Sequence, residues 1–318
     1  MPLRTDGSSS TEPRSPIGRV AIVVLAFDAP LGLLERSVLA VLADIENDLS
    51  GYQMDLVVID NGSSARTRLA GIDVEVVETG SNRGYGGGMN AGIIRGLERG
   101  ADAIALLNDD VIVEEGWMTP LIDDLQGART IGSVQPTLLH SNGGTDKQTE
   151  TRTVNSAGVV VDSYGAGSDR LRGLDVRNLP ADPEDIQAFT GGAVVIHRDM
   201  FEDVGIFDER FFLYYEDLEL ARRAARSGWR HRHVPQSSVW HVGSATTERL
   251  GDDRRRLQER NRIWVTMMHG SVSEALRGFG LSIRRLRHQP RAAHWRALIE
   301  GVAGAPIRLA SRVGHRCR

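Results

Sequence analysis

Hydrophobic positions fall into two alternating kinds of run along the first third of the chain. Residues 19–27 (RVAIVVLAF), 54–60 (MDLVVID), 74–78 and 103–107 are short, almost continuous apolar runs of the length expected for buried strands. Between them, 31–43 has helical apolar spacing, and 84–100 opens as a glycine-rich turn that continues as a helix. Strands and helices in alternation predict a parallel sheet with helices on both faces. Residues 137–187 break the rhythm: they are polar, rich in Gly, Asp and Asn, and read as loops with short antiparallel strands. Regularity returns with a strand at 192–197, a helix at 198–204, a helix completed at 224–229 and a late strand at 232–239. After Arg249 the pattern is helical and rich in Arg, and no internal repeat is visible.

The strand ends carry polar groups. Asp28 follows the first strand, Asp60 the second, and Asp109 and Asp110 the fourth. In a parallel sheet these ends share one edge, where open α/β sheets bind ligands. Two adjacent carboxylates repel each other and resist desolvation, so a positive partner is expected beside Asp109 and Asp110. A divalent metal holding a diphosphate suits them, because Mg²⁺ and Mn²⁺ favour a few carboxylates plus phosphate oxygens. Taken alone, an Asp-Asp pair reads equally as a solvated turn.

The glycine-rich stretch leaves two readings open. Gly86, Gly88 and Ala91 match G-x-G-x-x-A, and Asp109 lies near the distance of a ribose-binding acid. That pattern points to an NAD(P)-dependent oxidoreductase, and the same loop would serve a nucleotide-sugar-modifying enzyme. Against the dinucleotide reading, a full strand-helix-strand unit comes first, and the downstream acid is doubled and preceded by Asn108. Glycines here also permit a tight turn and close helix packing. Further on, Phe211, Phe212, Tyr214 and Tyr215 precede Glu216 and Asp217, which open an amphipathic helix. A carboxylate at a helix N-terminus beside aromatic walls fits a general base, and it fits an acidic first turn behind core aromatics as well. His241, just past a strand, is placed to complete a metal site begun by the acidic pair.

Composition narrows the class. Hydrophobic residues make up 41% of the 318 and charged residues 25%, as in ordinary globular proteins. Cys317 is the only cysteine, so neither a disulfide framework nor a Cys-based zinc site is available. No apolar stretch approaches the roughly 18 residues of a membrane span, and residues 1–17 read as a polar, disordered leader without a signal-peptide core. Charge is uneven: 252–318 holds 15 Arg against 5 acids, although the whole chain has a formal charge of −4. Such a tail, with Arg284, Arg285, Arg287 and Arg291 among Leu281, Ile283, Leu286, Trp295 and Leu298, fits an anionic membrane surface or a solvated helix face.

Five segments in order resemble family-2 glycosyltransferases of the GT-A fold, in the bacterial rhamnosyltransferase-like branch, over about residues 20–268. They are DNGSS (60–64), NRGYGGGMNAGI (82–93), LLNDD (106–110), TGGAVVIHRDMFEDVGIFDERFFLYYEDLEL (190–220) and HVGSAT (241–246). The resemblance implies an α/β fold of GT-A type, a mostly parallel nucleotide-binding sheet flanked by helices, over residues 18–250. A basic helical C-terminal appendage would occupy 251–318. It further implies inverting, metal-dependent transfer from a nucleotide-diphosphate sugar (deoxythymidine diphosphate-rhamnose, or a uridine diphosphate sugar) to a hydroxyl of a glycan, a lipid-linked glycan or a small molecule. On this reading Asp28, Asp60, Arg83, Gly84, Asn90 and Asp109 bind the donor, and Thr190, Gly191 and Gly192 line its sugar end. Asp110 and His241 hold Mg²⁺ or Mn²⁺, Asp217 is the catalytic base, and Tyr214, Tyr215 and Glu216 lie on the acceptor side. Apart from the resemblance, the composition fits a cytoplasmic location and the basic C-terminal region fits peripheral contact at the inner face of the membrane, with no nucleic acid partner expected. The sequence departs from the family pattern at Phe27-Asp28, at Ala65-Arg66, at Asn108 in the metal motif and at Glu219.

Overall fold

The computed structural model describes residues 16–47, 51–141, 152–242, 251–288 and 292–304. Almost all of the expected leader lies outside the described residues, as do 243–246 of the HVGSAT segment, Arg291 and Cys317. The first half of the sheet is parallel, in the order β4-β1-β2-β3, with β1 (Arg19–Ala26), β2 (Gln53–Asp60), β3 (Glu75–Glu78) and β4 (Ala103–Asn108). Beyond Arg19 every residue of β1 is buried, as a strand covered on both faces requires. The two-residue period divides it between two cores. Val20, Ile22 and Val24 meet Leu34, Val38 and Val41 of α1 (Leu33–Asn47), whereas Ala21, Val23 and Leu25 share a core with Met89 and Ile93. A short helix, α2 (Ala65–Arg68), follows β2.

Met89 and Ile93 belong to α3 (Gly84–Glu98), and its glycines make the second contact possible. A Cβ on Gly88 would sit 2.4 Å from Leu25 Cδ1, one on Gly92 2.2 Å from Val23 Cγ1, and one on Gly96 2.7 Å from Ala21 Cβ. Four helical residues advance about 6 Å and two strand residues about 6.6 Å, so the glycines keep step with alternate residues of β1. The helix therefore seats its glycine backbone directly on the side chains of Leu25, Val23 and Ala21, with no side chain of its own between. This decides between the two readings of the segment. A dinucleotide fingerprint needs its glycines in the turn before the helix, whereas here Gly86 and Gly88 lie inside α3. The oxidoreductase alternative is not favoured.

The second half of the sheet is mixed. It contains β5 (Val111–Val113), β6 (Ile131–His140), β7 (Val154–Ser156), a separate hairpin of β8 (Val159–Val161) and β9 (Gly167–Asp169), then β10 (Glu184–Ile186), β11 (Ala193–His197) and β12 (Arg230–His241). Helices α4 (Met118–Gln126), α5 (Arg198–Val204) and α6 (Glu216–Arg226) accompany these strands. β11 runs antiparallel to both β4 and β6, which brings Gly191 and Gly192 to the edge where β4 ends: Asn108 N donates to Gly192 O at 3.1 Å. β12 pairs with β5 so that His241 lies opposite Val111, and Val242 N donates to Asp110 O at 2.9 Å. Sheet topology thus gathers 108–110, 191–192 and 241 at one place.

The core does not stop at the boundary expected at residue 250. Helix α7 (Gly251–His269) contributes Trp264, Val265 and Met268 to the core that holds Met89 and Ile93, and Trp264 meets Phe211 edge-to-face at 5.6 Å. Helices α8 (Val272–His288) and α9 (Ala292–Ala303) pack on α7. Leu286 is buried, so it belongs to the helical interior, and the half-exposed Arg285 reaches inward to pair with the buried Glu259. Among the described residues no helix is long and apolar enough to cross a membrane.

Candidate active site

A cavity of about 470 Å³ opens at the carboxyl edge of β1 and β4. Asn108, Asp109 and Asp110 line it on the sheet side, Thr190, Gly191 and Gly192 beside them, and residues 212–218 opposite. The β8–β9 hairpin contributes Asp169, and α7 contributes Gln258.

At the sheet side the two acids do different things. Asp109 Oδ2 accepts a hydrogen bond from Phe27 N at 2.7 Å, which ties the end of β4 to the loop after β1. Burial, with the neighbouring Asp110 charge and against the N–H of Phe27, pushes its carboxyl up to about 7. Asp110 Oδ2 lies 3.2 Å from His241 Nε2, and the other ring nitrogen of His241 is 3.1 Å from Asn155 Oδ1. Burial works against an imidazolium at His241, yet Asp110, with Asp169 further off, more than offsets it and raises its pKa. Asp110 Oδ1 is buried with no hydrogen-bond partner. A buried carboxylate oxygen without a donor is one that a cation would complete. Among the described residues no group of three acidic, His or Cys side chains is clustered for a metal. One carboxylate and one imidazole nevertheless suit Mg²⁺ or Mn²⁺, which take their remaining ligands from phosphate and water.

Across the cavity, Asp217 sits in the first turn of α6. Its Oδ2 accepts from Gly191 N at 2.9 Å and its Oδ1 from Leu218 N at 2.7 Å, so two backbone donors fix the carboxylate plane. A Cβ on Gly191 would fall 2.7 Å from the Tyr85 ring, so no larger residue places that N–H against Asp217. Burial raises the Asp217 pKa against these two hydrogen bonds, and Asp169 adds to the rise. Glu216 is buried too, and burial together with the Asp217 charge pushes it well above the carboxylate range.

The segment that delivers Asp217 is strained. Phe212, Tyr214 and Tyr215 all have positive φ (66°, 70° and 70°), a region bulky residues avoid at a cost of about 1–3 kcal/mol each. The turn is held from two sides. Tyr85 N donates to Phe212 O at 2.7 Å, and Gly84 has no room for a side chain because a Cβ would lie 2.1 Å from that same carbonyl. From α7, the fully buried Asn261 Nδ2 reaches Phe211 O at 3.0 Å, Leu213 O at 2.9 Å and Tyr214 O at 2.7 Å. Asn261→Ala leaves these carbonyls without that donor. It is expected to lower kcat by about tenfold or more through misplacement of Asp217, with nucleotide affinity nearly unchanged. A lowered melting temperature with normal kcat would reduce Asn261 to a stabilising residue.

Of the residues expected at the site, Gly84, Asp109, Asp110, Thr190, Gly191, Gly192, Tyr214, Tyr215, Glu216, Asp217 and His241 line the cavity. Asp28, Asp60, Arg83 and Asn90 stand outside its lining. Asp60 closes its own turn, accepting from Ser63 N and Oγ, both at 2.7 Å, and from Arg66 N at 3.3 Å. Asn90 bonds both backbone groups of Phe207 at 3.0 Å, and Arg83 pairs with Glu209 at 2.9 Å. Asn82 lines the cavity from the loop at 82–90 that the resemblance sets against the donor, and Asn61, Asp169 and Gln258 line it without having been singled out. For Asn61 and Asn82 the signal was present in the motifs DNGSS and NRGYGGG. For Asp169 and Gln258 no motif marks them.

A parallel half-sheet, a mixed second half and a cavity at the carboxyl edge of the strands form an α/β fold of GT-A type. The family described as Glycosyl transferase family 2 matches residues 21–205, and Glycosyl transferase family group 2 matches residues 172–295. The chain belongs to glycosyl transferase family 2. It is 25% identical over 211 residues to N-acetylglucosaminyl-diphospho-decaprenol L-rhamnosyltransferase of Mycobacterium tuberculosis (strain ATCC 25618 / H37Rv), covering 62% of this chain and 69% of that protein. It is 28% identical over 175 residues to the low-salt glycan biosynthesis hexosyltransferase Agl10 of Haloferax volcanii, covering 54% of this chain and 53% of that one. Among solved structures, GalNAc-T7 with UDP, GalNAc and Mn²⁺ superposes with a TM-score of 0.63 at 17% identity, over 95% of this chain and 55% of that chain. S. aureus TarS 1-349 gives 0.50 at 12% identity, over 94% and 87%. These structures share the fold.

Proposed function

We propose that this protein transfers a sugar from a nucleotide-diphosphate donor to an acceptor hydroxyl in one inverting displacement. The observation that carries the reading is the pairing, around one cavity, of Asp110 and His241 on the sheet side with the backbone-fixed Asp217 on the other. Asp110 and His241 would hold Mg²⁺ or Mn²⁺, which when bound neutralises charge developing on the departing diphosphate. Asn61, Asn82 and Gly84 would lie along the donor, and Thr190, Gly191 and Gly192 beside its sugar. Asp217 accepts the proton of the acceptor hydroxyl as that oxygen bonds to the anomeric carbon and the bond to the diphosphate oxygen breaks. Glu216, Tyr214 and Tyr215 shape the acceptor side. The name of the mycobacterial relative supports rhamnose as the first sugar to try, on the deoxythymidine diphosphate carrier expected from the resemblance, and a lipid-linked glycan as the acceptor, within cell wall or polysaccharide synthesis.

A panel of nucleotide sugars, scored for binding and slow donor hydrolysis with Mn²⁺ and again with chelator, tests this reading. One nucleotide sugar should respond, and only with metal. Equal response with chelator present, or response to none of the panel, would contradict it.

A further inference from the structure

Two helices at the C-terminal end carry apolar side chains that nothing among the described residues covers. On α8, Val272, Leu276 and Phe279 are 71%, 69% and 42% exposed; on α9, Trp295, Ile299 and Val302 are 54%, 64% and 50% exposed. Both sets are spaced i, i+4, i+7, and at about 100° per residue each set falls in a sector of about 60°. On α9 this stripe lies opposite the buried Ala293, Ala297 and Gly301. On α8 it lies between the buried Gly278, Ser282 and Leu286 on one side and the exposed Arg287, Arg284 and Arg277 on the other.

Charge identifies the occupant. The one acid of α8, Glu274, turns inward to Arg222 at 2.7 Å, and the one acid of α9, Glu300, pairs with Arg256 at 2.9 Å. Three of the arginines on these helices do the opposite: Arg284, Arg287 and Arg296 are exposed and pair with no carboxylate among the described residues. An apolar stripe flanked by free arginines, with its acids withdrawn and a tryptophan at its surface, matches the acyl-headgroup boundary of an anionic bilayer. A second copy of the chain would bury these like charges against each other.

We propose that α8 and α9 dock the protein in plane on an anionic lipid surface, with Leu276, Phe279, Trp295 and Ile299 inserted and Arg284, Arg287 and Arg296 against headgroup phosphates. The β8–β9 hairpin links these helices to the active site. The tip of the β8–β9 hairpin is held by α8, with Arg277 Nε donating to Ser163 O at 3.1 Å, and by α7, with Arg262 donating to Tyr164 O at 2.8 Å. The other end of the same hairpin lines the cavity at Gly167, Ser168 and Asp169. Docking itself does not depend on the transferase reading, whereas delivery of a lipid-linked acceptor along this hairpin does.

The test is co-sedimentation of the full chain with vesicles of phosphatidylglycerol and phosphatidylcholine, and with phosphatidylcholine alone. The protein is expected to sediment with the anionic vesicles, less so at high salt, and poorly with neutral ones. The variant L276S/F279S/W295S/I299S should lose about tenfold or more of the bound fraction, and R284E/R287E/R296E should lose the preference for anionic lipid. Unchanged melting temperature and nucleotide binding show that these surface variants are folded. Three outcomes overturn the proposal: no sedimentation of the wild type, equal sedimentation of the serine variant, or a dimer in solution that the same substitutions dissociate. The vesicles contain no sugar donor, so failure here is separate from failure of the transferase reading.

Discussion

Asp217→Asn is expected to abolish transfer, by about 10³-fold or more on the scale of general-base catalysis, while donor binding stays within about twofold because the substitution leaves the sheet-side groups intact. The reasoning is geometric. The carboxylate is oriented by Gly191 N and Leu218 N, and an Asn keeps one acceptor oxygen where Asp has two. One backbone donor then loses its partner, at a stability cost of about 1–3 kcal/mol, which thermal unfolding would register as a modest shift. The loss of rate should far exceed it. Kinetics of wild type and variant with the responsive donor check this. Donor affinity lost together with activity would make Asp217 a structural residue.

The same group sets a pH dependence. Burial holds the Asp217 pKa above the usual carboxylate value, and only the ionised form accepts a proton. The rate should therefore fall as pH drops through a limb displaced upward from that of an exposed aspartate. Residual activity of the Asn variant should lack that limb.

Asp110→Ala should remove the metal-dependent part of nucleoside diphosphate binding. Asp110 Oδ1 is the buried oxygen without a donor, and Oδ2 pairs with His241. Without this carboxylate the imidazole alone remains. Affinity measured by calorimetry with Mn²⁺ should fall by about 10–100-fold, toward the value wild type shows with chelator. With chelator present, the two proteins should bind alike. A variant that keeps the full Mn²⁺ effect would place the metal elsewhere.

The sequence was informative where chemistry follows from local pattern. β1, β2 and β4 show because strands buried on both faces are continuous apolar runs, and Asp109 and Asp110 show because they interrupt one. β6 does not. It is central and buried, yet it reads IGSVQPTLLH, with Gly132 and Pro136 inside it. Its polar side chains are satisfied by partners far away in sequence: Ser133 by His231 at 2.7 Å, Thr137 by His233 at 2.8 Å, and Gln135 by Thr190 N at 2.8 Å. The register of β12 shifts between Val234 and Ser238, opposite Pro136 and Thr137, which accommodates a proline inside a ladder. None of that is a property of the segment itself.

The site divides in the same way. Residue type and position at a strand end placed Asp60 beside Asp110, but the following turn claims the Asp60 carboxylate while one oxygen of Asp110 is left over. Gly86, Gly88 and Ala91 match a dinucleotide fingerprint, and close helix packing is the other reading that the segment allows. Four-residue spacing against a strand is the better description of its glycines, and it becomes visible only once β1 is known to lie underneath. Asn261 carried no signal at all. It sits in an Arg-rich helix that resembles a solvated face, and its role exists only because a strained turn more than forty residues earlier packs against it.

Both carboxylate assignments meet in one stereochemical consequence. If Asp217 alone activates the acceptor, and leaving group and nucleophile occupy opposite faces of the sugar, the reaction is a single displacement. The most direct measurement is the anomeric configuration of the transferred sugar, read by nuclear magnetic resonance on product made with the responsive donor. Configuration opposite to that of the donor is the expected result. Retained configuration would require a second nucleophile in the cavity and would contradict the role given to Asp217.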